Sequence, residues 1–305
     1  MKPTEIEGIA YLTYSGSIAY GTNTETSDVD IRGFYQESIS DIITGKAKDT
    51  ITFSAEDTVV YSLRKFIHLC KNANPNVLEL LGTKDEHVIF MNDVGKMIRD
   101  NRELFFSKKI CNAFGGYATA QLRRLQNALA HDAYDEEEKR EHILKSIRQM
   151  IQTNEEVYSL NGGQFNIYID GDEIKLDVSA KGLPLRKFNA VSSDVTNMLK
   201  NYDKLNHRNR KKDDAHLYKH AMHLIRLYLT GIDLLEGRGL HTYRENDLDL
   251  LMSIRNGEVA MEKILKMADE FESKLNCAYD ESKLPEKPDD AAIDKLLLKA
   301  YGLRS

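Results

Sequence analysis

Hydrophobic and polar positions follow a strand period near the N-terminus of the chain and a helical period further along. Residues Ile9 to Tyr14 form a mostly apolar run that predicts a strand. Further strands are predicted at 50–53, 57–61 and 88–90. Gly16 and Ser17 follow the first strand and predict a turn that opens into a short helix. The first third of the chain is therefore predicted to form a small sheet.

From residue 62 onward the apolar positions recur with a helical period. The first apolar stripe consists of Leu63, Phe66, Ile67 and Cys70. Pro75 stands where the first turn of a second helix is expected. Long helices are predicted from about Lys109 to Ala130 and from Asp214 to Leu235. Most of the chain after residue 92 is therefore predicted to be helical.

One predicted β-hairpin, at 165–178, interrupts the helices, with Asp170 and Gly171 at its turn. These elements together predict an α/β (α+β) fold with two domains. Residues 1–92 would form a small mixed sheet with helices on one face. Residues 93–305 would form a mainly helical domain that contains the hairpin, and the functional site would lie in the cleft between the two.

Two carboxylates alternate with apolar residues in Asp28-Val29-Asp30-Ile31, which is predicted to be the second strand. Because successive strand side chains point to opposite faces, Asp28 and Asp30 should share a face and Val29 and Ile31 should be buried on the other. Two neighbouring carboxylates repel each other unless a cation lies between them. Oxygen ligands of this kind suit Mg²⁺ or Mn²⁺, which also accept substrate phosphates.

Gly16 and Ser17 would supply the second half of a phosphate site. Without a side chain at Gly16 the backbone N–H groups can approach an anion, and the Ser17 hydroxyl can donate beside them. A third carboxylate is needed to complete the metal site and to accept a proton from an attacking hydroxyl. Asp57 is the first choice, and Glu56 is the alternative because a one-residue error in strand phase would exchange their faces.

The segments GS, AYGT and SDVDIRG between residues 16 and 33 together resemble the signature of nucleotidyltransferases of the DNA polymerase beta superfamily. Two further segments, LRKF from Leu63 and NPNVLELL from Asn74, resemble the branch of RNA-ligase-associated nucleotidyltransferases that accompany RNA-repair ligases. The helix around Lys219 to Arg226 is similar to the C-terminal helix of that branch. The hairpin and the tail from Glu281 match no part of the pattern.

The resemblance implies transfer of a nucleoside monophosphate from an NTP, with ATP favoured, to an acceptor hydroxyl, with release of pyrophosphate. An RNA end is the favoured acceptor. Asp28, Asp30 and Asp57 would be the catalytic carboxylates and the ligands of Mg²⁺ or Mn²⁺. Gly16 and Ser17 would bind the β and γ phosphates.

Cations from the helical domain would complete the nucleotide site. Lys219, His223 and Arg226 stand at i, i+4 and i+7 and therefore share one helix face. They would neutralise negative charge that develops on the phosphates, with His223 as a possible cation. Lys65 is a lesser candidate for the same task.

Composition limits the other classes of function. The net charge of −6 argues against a protein that coats nucleic acid by charge alone, although 208–212 is a local basic run. No apolar stretch has the length of a membrane span, and the three cysteines, at 70, 111 and 277, form no CxxC pair. A cytoplasmic location without a membrane is expected. Nucleotidylation of a protein or a small molecule, and a non-catalytic nucleotide- or RNA-binding accessory protein, stay open as alternatives.

Overall fold

The computed structural model describes residues 3–53, 57–133, 164–170, 173–179 and 214–303, with a few single positions between 145 and 196. It divides into two compact units, one made of Met1–Leu125 with Asp214–Ser305 and the other of Gln126–Asp213. The predicted α/β fold, a mixed sheet followed by a mainly helical region, is confirmed. The predicted domain boundary near residue 92 falls inside the first unit and stays a prediction.

A five-stranded mixed sheet forms the N-terminal part of the first unit. Its strands are β1 (Ile9–Tyr14), β2 (Ile31–Tyr35), β3 (Thr50–Phe53), β4 (Thr58–Ser62) and β5 (Val88–Met91). Their order across the sheet is β3-β4-β2-β1-β5. The β2 and β4 strands run parallel, whereas the other neighbouring pairs are antiparallel. The β1 strand therefore lies between two partners, in agreement with its buried, mostly apolar sequence.

Helices follow the strands in chain order. They are α1 (Gly16–Tyr20), α2 (Ile39–Ile43), α3 (Leu63–Lys71), α4 (Pro75–Leu78), α5 (Asp93–Asp100), α6 (Lys109–Ala133), α7 (Asp214–Leu235), α8 (Leu248–Arg255), α9 (Met261–Glu281) and α10 (Asp290–Ala300). Short 3₁₀ turns lie at Pro3–Glu5, Glu79–Gly82, Asp85–His87, Arg102–Phe105 and Glu245–Asp247. The start and end predicted for α7 are confirmed.

The predicted apolar stripe of α3 is buried against the sheet, where Phe66 packs on Phe34 at a ring-centroid distance of 4.4 Å. Ser62 accepts a hydrogen bond from the backbone N–H of Lys65 and so caps the first turn. The α7 helix packs against α8 and α9 and is apolar on its buried face. In the second unit β6 (Gln164–Asp170) and β7 (Glu173–Ser179) pair antiparallel, which confirms the predicted hairpin.

The second strand starts later than the alternation predicts. It begins at Ile31, and the segment 27–30 ahead of it is irregular. Pairing with the end of β1 reaches only as far as Asp30, whose carbonyl accepts from the backbone N–H of Ser15 at 2.8 Å. The prediction that Val29 is buried is wrong, since the residue is 49% exposed. In the same way β4 begins at Thr58, one residue after Asp57.

Candidate active site

Three strand ends meet at one edge of the sheet and set the site. Antiparallel pairing places Tyr14, at the end of β1, opposite Ile31, at the start of β2. Parallel pairing places the same Ile31 beside Thr58, at the start of β4. The residues just outside the strands must then also be neighbours. Asp30 consequently lies between the Ser15 turn and Asp57.

The carboxylates of Asp30 and Asp57 are within hydrogen-bonding reach of each other. Burial raises the pKa of Asp30, and the negative charge of Asp57 raises it further, while the nearby guanidinium of Arg32 opposes both effects. Asp57 also has a φ of 42°, in the left-handed region that disfavours residues with a Cβ. Strain at a residue that carries a functional group is a common property of active sites. The pair is therefore held in an electrostatically unfavourable arrangement.

Gly16 is required at its position by the close approach of Asp30. Its φ is +59°, and a Cβ built there would lie 2.2 Å from Oδ2 of Asp30. The missing side chain thus makes room for the carboxylate, and not only for an anion as the sequence suggested. Ser17 is buried in α1. Ser15, by contrast, lines the neighbouring cavity, and its hydroxyl is buried with no hydrogen-bond partner among the described residues.

A cavity of about 220 Å³ opens beside this edge, between the sheet and helices α6 and α7. Of the predicted site residues, Gly16, Asp30, His223 and Arg226 line it. Five predicted residues lie outside its lining, namely Ser17, Asp28, Asp57, Lys65 and Lys219. Asp57 precedes the first residue of β4, whereas Lys65 follows the last one and so lies at the other end of that strand. Lys219 is exposed on α7. Ser17, Lys65 and Lys219 keep their nucleotide-binding assignments as predictions.

Asp28 is exposed in the irregular segment before β2. No group of three or more His, Cys, Asp or Glu side chains within the described residues is placed to hold a metal ion. The assignment of Asp28 as a metal ligand stays a prediction. The choice between Asp57 and Glu56 also stays a prediction, because Glu56 lies outside the described residues. The basic run 208–212 lies outside them as well.

Arg226 lines the cavity and is paired within the protein. Its guanidinium forms a salt bridge with Glu79, and the side chains of both residues are almost fully buried. The Tyr20 hydroxyl donates to the other oxygen of the same carboxylate at 3.0 Å. The guanidinium carbon of Arg226 lies 3.7 Å from the centroid of the Tyr20 ring. This triad fixes α7, which carries Arg226, against α1 and the turn that follows α4.

His223 lines the cavity one turn before Arg226 and meets the Tyr20 ring edge-on at 5.9 Å. Burial lowers the pKa of His223 well below its usual range, and the positive charges of Arg226 and Lys219 lower it further. The imidazole is therefore neutral near pH 7. This charge state favours a neutral hydrogen-bonding group at His223 over the cation considered from the sequence.

Several residues at the cavity escaped the sequence analysis. Arg32 lines it and has no ion-pair partner within 4.0 Å among the described residues. Its signal was available in the sequence, because Arg32 follows Asp30 by two positions and would share its face in the strand that the alternation predicts. Glu79 is a carboxylate inside an apolar run, a pattern that predicts a buried, paired charge. No sequence signal indicated that Tyr117 and Gln121 reach the same cavity.

Asp30 and Asp57 fit a divalent cation by the chemistry of their donor atoms. Two carboxylates whose negative charges oppose each other, in a partly buried position, gain most from a hard cation shared between them. The cavity beside Asp30 offers room for the phosphates that such a cation also binds. The residues present therefore suit Mg²⁺ or Mn²⁺ at this edge.

A mixed sheet whose strand ends bring a glycine turn and a carboxylate to a cavity, with a second carboxylate next to the first, is the arrangement expected of a polymerase beta-like nucleotidyltransferase. The chain belongs to the RNA repair pathway DNA polymerase beta family (RlaP), whose family model matches residues 2–156. The resemblance to the RNA-repair branch is thereby confirmed. Membership suggests a polymerase beta-like nucleotidyltransferase that acts in RNA repair.

A curated relative is a protein of Enterobacteria phage T4, described as an uncharacterized 38.9 kDa protein in the nrdC-mobD intergenic region. It is 31% identical over 125 residues, and the match covers 37% of this chain and 37% of the phage protein. No solved structure shows significant similarity to the chain. Within the described residues, no helix combines the length and the apolar composition that crossing a membrane requires.

Proposed function

We propose that the protein transfers a nucleoside monophosphate from an NTP, with ATP as the expected donor, to a hydroxyl at an RNA end. A bond forms between the acceptor oxygen and the α-phosphorus, and the bond from that phosphorus to pyrophosphate breaks. The observation that carries the proposal is the adjacency of Asp30 and Asp57 at the edge of a cavity that also holds Arg32.

Asp30 and Asp57 would hold Mg²⁺ or Mn²⁺, with Asp28 as a further ligand from the segment ahead of β2. When bound, the cation would neutralise charge on the triphosphate and on the leaving pyrophosphate. Asp57, the member of the pair outside the cavity lining, is suited to accept the proton of the acceptor hydroxyl.

Arg32 is the cation best placed to bind the phosphates, because it lines the cavity and no carboxylate within the described residues pairs with it. Gly16 and Ser17 would contribute from the turn after β1, together with the unpartnered hydroxyl of Ser15. Lys219 would add long-range positive charge, since it acts on Asp30 electrostatically from the surface of α7. Lys65 stays the weakest candidate.

The test is incubation of the purified protein with each α-labelled NTP, Mg²⁺ or Mn²⁺, and RNA with a 3′-hydroxyl or a 3′-phosphate. Label should enter RNA with a free hydroxyl and depend on the cation. Asp30→Asn should abolish incorporation, whereas Asp249→Asn, an exposed acidic residue on α8, should not. No incorporation into RNA by the native protein under any of these conditions would overturn the proposal.

A non-catalytic nucleotide-binding protein is the second candidate. The exposure of Asp28, away from the Asp30 and Asp57 pair, favours it, because a third carboxylate is absent from the described cluster. Binding of NTP without incorporation into RNA, protein or small molecules would support this candidate. Label found in protein or in a small molecule would instead identify a different acceptor.

A further inference from the structure

Two side chains of α6, Tyr117 and Gln121, form one wall of the cavity that Asp30 also lines. They are four residues apart, so they lie side by side on one face of the helix. Both come from the part of α6 that belongs to the first unit, like the sheet edge and α7. The cavity is therefore lined by charged side chains, among them Asp30 and Arg32, and by uncharged side chains from α6.

Each of these side chains is held from outside the helix. The amide nitrogen of Asn74, at the start of α4, donates to the Tyr117 hydroxyl at 3.0 Å. Nδ1 of His220, on α7, lies 3.0 Å from Oε1 of Gln121. Because a carbonyl oxygen only accepts, Nδ1 of His220 carries the hydrogen of that bond. Two neighbouring elements thus fix the phenol ring and the amide before any ligand arrives.

The fixed orientation decides what this wall can bind. Tyr117 lines the cavity and is 37% exposed, so part of its aromatic side chain is accessible to a ligand. With Oε1 of Gln121 taken by His220, the amide N–H groups have no hydrogen-bond partner among the described residues. An aromatic face next to an oriented N–H donor suits a flat heterocycle with an acceptor on its edge. The wall carries no charge, which excludes it as a second phosphate site.

The volume of the cavity suits a ligand that is only partly enclosed. About 220 Å³ is less than the roughly 300–1,000 Å³ of pockets that enclose a whole drug-sized ligand. One planar base in the cavity, with its phosphates extending toward Asp30 and Arg32, needs less room than a fully enclosed nucleotide.

We propose that Tyr117 and Gln121 form the nucleobase subsite, in which Tyr117 stacks on the base and the Gln121 amide donates to an acceptor on its edge. The inference rests on the proposed function for the direction of the phosphates. Gln121 is the residue that discriminates among bases, and Tyr117 contributes affinity for all of them. His220 and Asn74 are positioning residues that act through these two.

The experiment is calorimetric binding of ATP, GTP, CTP, UTP and inorganic tripolyphosphate to the full chain with Mg²⁺ present. Tyr117→Ala should weaken all four NTPs by roughly tenfold, because a stacked base contributes on the order of that factor. Tyr117→Phe should retain most of the affinity. Gln121→Ala should reduce the ratio of affinities between the tightest and the weakest NTP by about tenfold.

Tripolyphosphate should bind all of these variants as it binds the native protein. Gln126→Ala, an exposed glutamine on the same helix, is the matched control and should change nothing. Equal losses for NTPs and tripolyphosphate, or unchanged NTP binding in both alanine variants, would overturn the base subsite. If the native protein binds tripolyphosphate as tightly as every NTP, the base subsite would also be overturned, but the proposed phosphate site would stand. Native protein that binds neither would overturn the proposed function itself.

Discussion

Replacing Gly16 with alanine is expected to displace the Asp30 carboxylate, and Gly45→Ala provides a control for the backbone effect. Both glycines have positive φ values, +59° and +70°. Alanine should therefore cost about 1–2 kcal/mol of stability at either position from backbone strain alone. Only at Gly16 does the new Cβ meet another group, since nothing lies within 4 Å of the one at Gly45.

The difference between the two variants isolates the contact with Asp30. A Cβ at position 16 would lie 2.2 Å from Oδ2, 3.1 Å from Cγ and 3.4 Å from Cβ of Asp30. The whole side chain must therefore move by about 1 Å to reach ordinary contact distance. A shift of that size in a catalytic group costs on the order of a hundredfold in rate.

Urea unfolding and nucleotidyl transfer, measured on both variants, test this reasoning. Gly45→Ala should lose stability but keep native turnover under conditions where it is folded. Gly16→Ala should lose at least as much stability and about a hundredfold in kcat, with weaker Mn²⁺ binding by calorimetry. Equal turnover in the two variants would show that the position of Asp30 does not depend on Gly16 or does not affect the reaction.

Three further predictions concern charges around the cavity. Asp30→Asn or Asp57→Asn should raise Tm in the absence of divalent cations, because like-charge repulsion is relieved. We expect Mg²⁺ to raise the Tm of the native protein, and either substitution should abolish that rise. Glu79→Gln should destabilise the protein by about 3–5 kcal/mol in urea unfolding by leaving the Arg226 charge buried and unpaired, and adding Arg226→Met should recover part of that loss. The pKa of His223 is depressed in the folded state, so the unfolded state binds a proton that the folded state does not bind as pH falls through about 6.5. The free energy of unfolding should therefore decrease below that pH by up to about 1.4 kcal/mol per pH unit. The decrease should be less steep in His223→Gln. A native-like slope in that variant would contradict the assignment.

The elements were predictable from the sequence because their signals are local. The run at Ile9–Tyr14 and the helix at Asp214–Leu235 have the bounds that periodicity indicates. The start of β2 was not predictable in this way. Alternation continues through Asp28 and Val29, but the strand can only begin where a neighbouring strand offers hydrogen bonds, and β1 ends at Tyr14. The first residue of β2 is therefore determined by the neighbouring strand and not by the sequence of residues 28–31 alone.

The candidate site was predictable in part for the same reason. Gly16 and Asp30, which both line the cavity, were predicted to be neighbours because they stand close together in the sequence and carry a motif. The adjacency of Asp57 to Asp30 required the parallel pairing of β2 with β4, which the strand pattern alone does not specify. The sequence analysis did not consider Ser15, the residue before the helix, which lines the cavity. A periodic pattern gives the face of a residue only after the element's first residue is known.

Arg226 shows how a partner distant in sequence changes the interpretation of a charge. On the helix wheel it is one of three basic residues on a face, and its sequence context gives no reason to separate it from Lys219. In the fold, Glu79, 147 positions earlier, takes up its charge in a salt bridge from which water is excluded. Breaking that pair to reach a phosphate would leave Glu79 unpaired, at a cost that exceeds what one charge-assisted contact returns. Arg226 is therefore better suited to hold α7 against Tyr20 than to contact the substrate. Arg32, which forms no salt bridge within the described residues, is the phosphate ligand that we propose in its place.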